Sequence, residues 1–184
     1  MEAAARRARE LGYRVVMVAS SVEEPVDQAL DRLLELRNRS RERDGAPLCI
    51  VAGGEARVPT GKRRGLGGRA QELAAAAAVR LDGVPGCLFL AAGSDGVDGN
   101  SPAAGAMADG QTLSRSRRAG LGIEASRRNG NTYRLFSARG DSVVTGWTGT
   151  NLRDLYLFLE SPGTARSVRE ASGDRRGWSS GERR

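Results

Sequence analysis

The sequence predicts an α/β protein, a layered α/β/α arrangement around a mostly parallel or mixed sheet. Three observations predict it. Leu48–Ala52 and Cys87–Ala92 are continuous apolar runs of strand length, as expected where a sheet is covered on both faces. Strand-like and helix-like segments alternate along the chain. A glycine loop, Gly65-Leu66-Gly67-Gly68, opens an alanine-rich helix.

Residues 2–11 are strong helix formers, and Gly12 suits the position after a helix end. Tyr13–Ala19 is rich in β-branched residues and reads as a strand. A chain opening in this way reads as the last part of something longer. Residues 26–43 form a second helix, with Val26, Ala29, Leu30, Leu33 and Leu34 as its apolar stripe. After the strand 48–52 come the helix 69–82 and the strand 87–92. Ser101 as cap and Pro102 at the first helical position predict a short helix over 101–108. Thr112 caps a helix through Ala119. Residues 122–138 are helical in pieces, broken near Asn129-Gly130-Asn131. Asp141–Thr145 and Asp154–Leu159 are the last strands. Residues 1–160 are expected to form one α/β domain, and 161–184 a disordered basic tail without apolar periodicity.

Composition excludes several classes of function. There is no histidine, so histidine acid/base chemistry, Ser-His-Asp triads and histidine metal sites are ruled out. The two cysteines, Cys49 and Cys87, lie in apolar runs and read as buried thiols of a reducing cytoplasm. No signal peptide or membrane-length apolar run appears. The net charge of +7 comes from 28 arginines and Lys62. Because these are scattered over helices and tail without a nucleic-acid-reading motif, no nucleic-acid partner is expected.

Three glycine-rich turns carry the candidate chemistry. Gly93-Ser94-Asp95-Gly96-Val97-Asp98-Gly99 places two carboxylates on a turn at a strand end, where open α/β sheets bind ligands. The same residues also suit a plain turn. Gly65, Gly67 and Gly68 precede a helix whose N-terminus is an anion site in principle, with Arg69 offering a planar fork for a carboxylate or phosphate. They equally suit close helix–strand packing, and they match a dinucleotide loop only loosely. In Thr145–Asn151, Thr148 and Thr150 supply hydroxyls, Gly146 and Gly149 allow tight turns, and Asn151 is both donor and acceptor. Glu55 ends one strand and Asp95 follows another. If those strands are neighbours, both carboxylates reach one crevice and are candidate ligands of a magnesium ion.

Four motifs in order resemble the MOFRL domain, the C-terminal half of type-2 glycerate kinases. The family's GGE, GGRNQE, GTDGxDGxTxAAGA and GDxxxTGPTGTNxxD are matched at 53–55, 67–72, 93–106 and 140–154. The resemblance covers roughly 1–160, with 1–45 resembling the segment that leads into the domain. It implies ATP-dependent phosphorylation of D-glycerate with magnesium. It places Glu55, Arg69, Asp95 and Asn151 on an interdomain active-site cleft, with Asp98 supporting them and Gly67, Gly68, Thr148, Gly149 and Thr150 binding substrate or phosphate. It also implies a separate Rossmann-like lobe carrying a catalytic lysine.

The chain departs from the pattern at Ala70 for Asn, Pro102 for Asp, Asn131-Thr132 for Asp-Ser and Trp147 for Pro, and at Pro25 in a segment where the family carries Gly-Glu-Ala. The expectation is therefore a cytoplasmic kinase lobe, inactive alone. The alternatives are a non-catalytic small-anion binding module or, by a label the family also carries, a hydroxypyruvate reductase.

Overall fold

The structure, a computed structural model, describes residues 1–40, 45–58 and 65–161. Its strands are β1 (Arg14–Met17), β2 (Leu48–Gly54), β3 (Cys87–Gly93), β4 (Gly105–Asp109), β5 (Ser142–Val143) and β6 (Asp154–Glu160). The helices are α1 (Glu2–Glu10), α2 (Val26–Ser40), α3 (Arg69–Arg80), α4 (Thr112–Arg118), α5 (Ile123–Asn129) and α6 (Thr132–Ser137). All six strands join one sheet in the order β1-β2-β6-β3-β4-β5. The sheet is mixed: β1 and β2 are parallel, and every other pairing is antiparallel.

The apolar runs at 48–52 and 87–92 are strands, but they are not neighbours. β6 lies between them, pairing Cys49 with Leu159 on one side and Leu88 with Leu159 on the other. The two long strands are joined by a strand a hundred residues downstream of β2. Sequence patterning carries no information about that insertion.

One face of the sheet holds the main core. Phe89 and Phe158 meet there with ring centroids 6.5 Å apart, beside Ile50, Leu30 and Leu33. Helix α3 lies across this face, and Ala70 through Ala78 are all buried. A helix buried all round needs small side chains where sheet and neighbouring helices both press on it, which explains the alanine run. The opposite face is covered by α1, whose Ala5 and Ala8 pack on Cys49 and Val51. Both cysteines are buried and unbridged.

The helix expected at 101–108 is not formed. Residues 105–109 are strand β4, and Ser101 donates to the Asp98 carbonyl instead of capping a helix. The cause is tertiary: a Cβ on Gly105 would lie 1.9 Å from the Ala91 carbonyl, so this glycine lets β4 come against β3. The strand expected at 141–145 shortens to Ser142–Val143. The last residues of the expected second helix, 41–43, and the tail beyond 161 lie outside the described residues. No helix among the described residues is long and apolar enough to cross a membrane.

Arg37 continues the α2 stripe one turn past Leu33, and it is fully buried. Its Nε and Nη2 donate to the two Glu160 carboxylate oxygens at 2.8 and 2.7 Å. Its guanidinium lies 5.7 Å over the Phe158 ring. Removing one partner of a buried pair leaves an uncompensated charge. Glu160→Ala is therefore expected to cost about 3–5 kcal/mol in urea denaturation, and the double variant Arg37→Leu/Glu160→Leu distinctly less. Equal losses would show that packing, not charge compensation, sets the cost.

Candidate functional site

The ends of β2, β3 and β6 meet at one edge of the sheet. Gly54 and Gly93 both pair with Asp154, which starts β6. Beside them the glycine loop 65–68 packs on the turn between α5 and α6: Gly65 N donates to Asn129 O, and Tyr133 N to Leu66 O. Between these parts lies an open cleft of about 470 Å³, into which Arg69, Asp95, Asp98, Asn151, Arg153 and Asp154 all face, along with Gly67 and Gly68.

Arg69 sits at the first position of α3 and is held by two protein carboxylates. Its Nε is 2.7 Å from Asp154 Oδ2 and its Nη2 3.2 Å from Asp154 Oδ1. Nη2 is also 3.1 Å from Glu55 Oε1. The hydrogen bond and charge of Asp154, with that of Glu55, hold the guanidinium well above its ordinary pKa. The Tyr156 hydroxyl donates to Asp154 Oδ2 at 3.1 Å and accepts from Ala56 N at 3.1 Å. Burial, and then the charge of Asp154, push this phenol up. A chain of contacts thus ties the residue after Glu55, through Tyr156 and Asp154, to Arg69.

Asp98 does not face the cleft as a free acid. Its Oδ1 accepts from Ala70 N at 3.0 Å, and its Oδ2 from Gln71 N at 2.8 Å and Gln71 Nε2 at 3.0 Å. This corrects the picture of a helix N-terminus with open N–H groups. A carboxylate 28 residues downstream caps α3, a tertiary contact that local sequence does not reveal. A dinucleotide pyrophosphate seated on those N–H groups would have to displace Asp98, so the loose dinucleotide match gains no support. A Cβ on Gly68 would meet Asp98 Oδ1 at 2.2 Å, so the loop glycine is needed for this cap. Burial raises the Asp98 pKa to about 6 against the pull of the Gln71 and Ala70 donors, and the charge of Asp154 adds to the rise.

Asp95 follows β3 in a tight turn. Its Oδ1 accepts from Val97 N at 3.1 Å. Gly96, at φ +89, is required twice over: by its left-handed backbone, and because a Cβ would lie 1.9 Å from Gly146 O. The 145–151 loop is fastened to this turn. Thr148 N donates to Asp95 O at 3.2 Å, its hydroxyl to Ser94 O, and Leu152 N to Ser94 Oγ at 2.6 Å. Thr150 N donates to Thr148 Oγ1 at 3.3 Å. Asn151 reaches the cleft, whereas Thr148, Gly149 and Thr150 do not line it. Thr148 serves the loop's own geometry. Arg153, at φ +70, has a backbone conformation rare outside glycine. Its Nη1 contacts Glu23 Oε1 at 2.8 Å and Ser21 Oγ at 3.0 Å.

The cleft therefore gathers Arg69, Asp95, Asp98, Asn151, Gly67 and Gly68 from the predicted set. Glu55 opens onto an adjoining hollow with Glu23, Arg57 and Arg153, and it touches the cleft through Arg69. Asp154, Tyr156 and Arg153 were not singled out in sequence. The signal for Asp154 was present: it is the closing carboxylate of the fourth motif and the first residue of a strand. No group of three or more acidic or thiol side chains suited to a metal ion occurs among the described residues.

Comparison with known proteins identifies the family and relatives of this fold. The MOFRL family profile matches residues 48–154. The D-glycerate 2-kinase of Thermotoga maritima is 32% identical over 155 residues, covering 83% of this chain and 37% of that protein. A putative hydroxypyruvate reductase of Agrobacterium vitis is 34% identical over 163 residues, 86% of this chain and 37% of the relative. The crystal structure of the T. maritima glycerate kinase superposes with a TM-score of 0.78 at 31% identity, over 86% of this chain and 39% of that one. The chain thus spans less than two fifths of the length of these relatives.

The Asp98 carboxyl gives a test of the cap. A folded-state value near 6, above the ordinary 3.8, means that the folded protein holds the proton more tightly than the unfolded chain. The contribution of Asp98 to stability is then fully present below about pH 4 and is lost as pH rises through about 6, by about 3 kcal/mol. Urea denaturation of the protein and of Asp98→Asn at both ends of that window isolates it. A gap between the two that moves in favour of the unsubstituted protein as pH rises would contradict the assigned burial.

Proposed function

The chain belongs to the MOFRL family, and we propose that it is one lobe of a glycerate 2-kinase, phosphorylating D-glycerate from ATP at the cleft between β2, β6, β3 and the 145–151 loop. The observation that carries this reading is Arg69, fixed in the cleft by Asp154 and Glu55, with Asp95 and Asn151 lining the same cleft. Phosphoryl transfer relies mainly on positioning and charge neutralisation, so a site without histidine suits it.

Each side chain has a role in this scheme. Arg69 uses Nε and Nη2 internally, and its half-exposed side chain offers Nη1 to a carboxylate or phosphoryl oxygen. Its two carboxylate partners keep the fork in one orientation. Asn151 presents an amide to the glycerate oxygens. Asp95 has Oδ1 engaged by Val97 N, which leaves Oδ2 as its one open oxygen. Gly67 and Gly68 let the loop backbone approach the ligand. Asp98 holds the start of α3 in place.

Magnesium is part of the proposal in reduced form. Of the two carboxylates considered, Glu55 is committed to Arg69 and is a poor ligand. Asp95 Oδ2 fits as the single protein carboxylate, with the remaining positions of the ion filled by phosphate oxygens and water. When bound there, the ion would neutralise charge on the transferring phosphoryl group. A cytoplasmic setting fits the two buried free thiols, Cys49 and Cys87.

The second reading is a module that binds small anions without turnover. The observation favouring it is the cleft itself, where Arg69 keeps Nη1 free of protein partners while no acidic or thiol cluster suited to a metal ion occurs among the described residues. A Rossmann-like lobe, on this protein or on another, is proposed as the catalytic partner.

A coupled assay on D-glycerate and MgATP separates the readings, run with the purified chain alone and with the N-terminal lobe of the T. maritima relative added. No turnover alone and measurable turnover with the lobe are expected. In the reconstituted pair, Asn151→Ala and Asp95→Asn should each lower kcat/KM by at least about tenfold, about 1.4 kcal/mol of transition-state stabilisation. Robust turnover by the chain alone would overturn the two-lobe scheme. Binding of glycerate with no turnover under either condition would favour the anion module.

A further inference from the structure

The helices α4–α6 stand apart electrostatically. Residues 111–140 carry seven arginines and a single carboxylate, Glu124, a net +6 within a chain of net +7. Some of these charges are compensated internally. Arg115 pairs with Asp109 and Asp141, and Arg127 with Glu72 and Asp27. Arg117, Arg118, Arg128 and Arg134 are exposed, and none of their side chains makes a hydrogen bond or ion pair with another described residue. Among the described residues, the net positive charge that looked scattered in sequence is concentrated on this helical layer.

That layer is also a wall of the cleft. Gly130 and Thr132 line it, at the turn where α5 passes into α6. Arg128 stands two residues before Gly130, and Arg134 two residues after Thr132. The floor has the opposite character. There three carboxylates, Asp95, Asp98 and Asp154, line the cleft with Arg69, which pairs with Asp154, and Arg153 is paired with Glu23. An incoming polyanion is thus repelled by the floor and attracted along the α5–α6 wall. Screening limits this to charges within about 8–10 Å of the mouth at ordinary salt. By position along the chain, Arg128 and Arg134 are, among the described residues, the exposed arginines without a side-chain partner nearest to the α5–α6 side of the mouth.

We propose that Arg128 and Arg134 steer the polyphosphate of a nucleoside triphosphate onto the α5–α6 wall, leaving Asn151 to the hydroxyl-bearing substrate. The proposal rests on the phosphotransferase reading and adds to it the side from which the nucleotide arrives. Both residues are positioning residues, acting through the field at the mouth.

The test is stopped-flow binding of inorganic tripolyphosphate to the full chain, at salt from about 20 to about 200 mM. The association rate should fall with salt. Arg128→Glu/Arg134→Glu should lower it on the order of tenfold at low salt with little change in dissociation. A control pair, Arg6→Glu/Arg9→Glu, makes the same charge change on exposed α1, which packs on the other face of the sheet. It should change the rate less than about twofold. Circular dichroism checks that both pairs remain folded. Equal effects of the two pairs would overturn the proposal in favour of overall charge. Unaltered rates in the α5–α6 pair would overturn it by placing anion entry elsewhere, with the phosphotransferase reading intact. Failure of the unsubstituted chain to bind tripolyphosphate at low salt would overturn both.

Discussion

The structure depends on where β6 lies. This strand enters between β2 and β3 and makes the sheet continuous from β1 to β5. Each end carries a carboxylate that fixes a cation from another element. Asp154 at its start holds Arg69 of α3, and Glu160 at its end holds Arg37 of α2. The two helices of the main core are thereby set on the sheet from opposite ends of the same strand. Tyr156 and Phe158 point to that same face between the two carboxylates and fill the core. One seven-residue strand therefore fixes the site and the interior together.

Charge in and around the site is mostly spoken for by the protein itself. Arg69 is committed to two carboxylates, Asp98 to the start of α3, and Arg153 to Glu23. Such pairing favours fixed geometry over raw attraction, as suits chemistry that depends on orientation. It also moves the free positive charge outward, to α4–α6. The cleft is thus a place for precise contacts, and the helices beside it set its long-range field.

Much of the fold was legible in the sequence. The apolar runs of β2 and β3, the glycine loop before α3 and the break at Asn129-Gly130-Asn131 between α5 and α6 all follow from local rules. What was not legible is tertiary. The glycine at 105 belongs to a strand because of Ala91, not because of its own neighbours. Arg37 reads as a polar residue interrupting an apolar stripe, and only Glu160, 123 residues away, makes its burial tolerable. In the site, Arg69, Asp95 and Asn151 were recognisable from the motifs that contain them. Asp154 closes the fourth motif, but local sequence does not show that it fills the Arg69 fork offered to a carboxylate or phosphate.

The position of β6 has a further consequence for how the protein is made. During synthesis β1, β2, β3 and β4 leave the ribosome before β6 does, and β2 and β3 then have no strand between them. Until residue 160 emerges, each presents an apolar strand edge without its partner. Pairings such as Cys49 with Leu159 also span most of the chain and close slowly. The nascent protein is therefore most vulnerable to edge-to-edge association just before its last strand arrives.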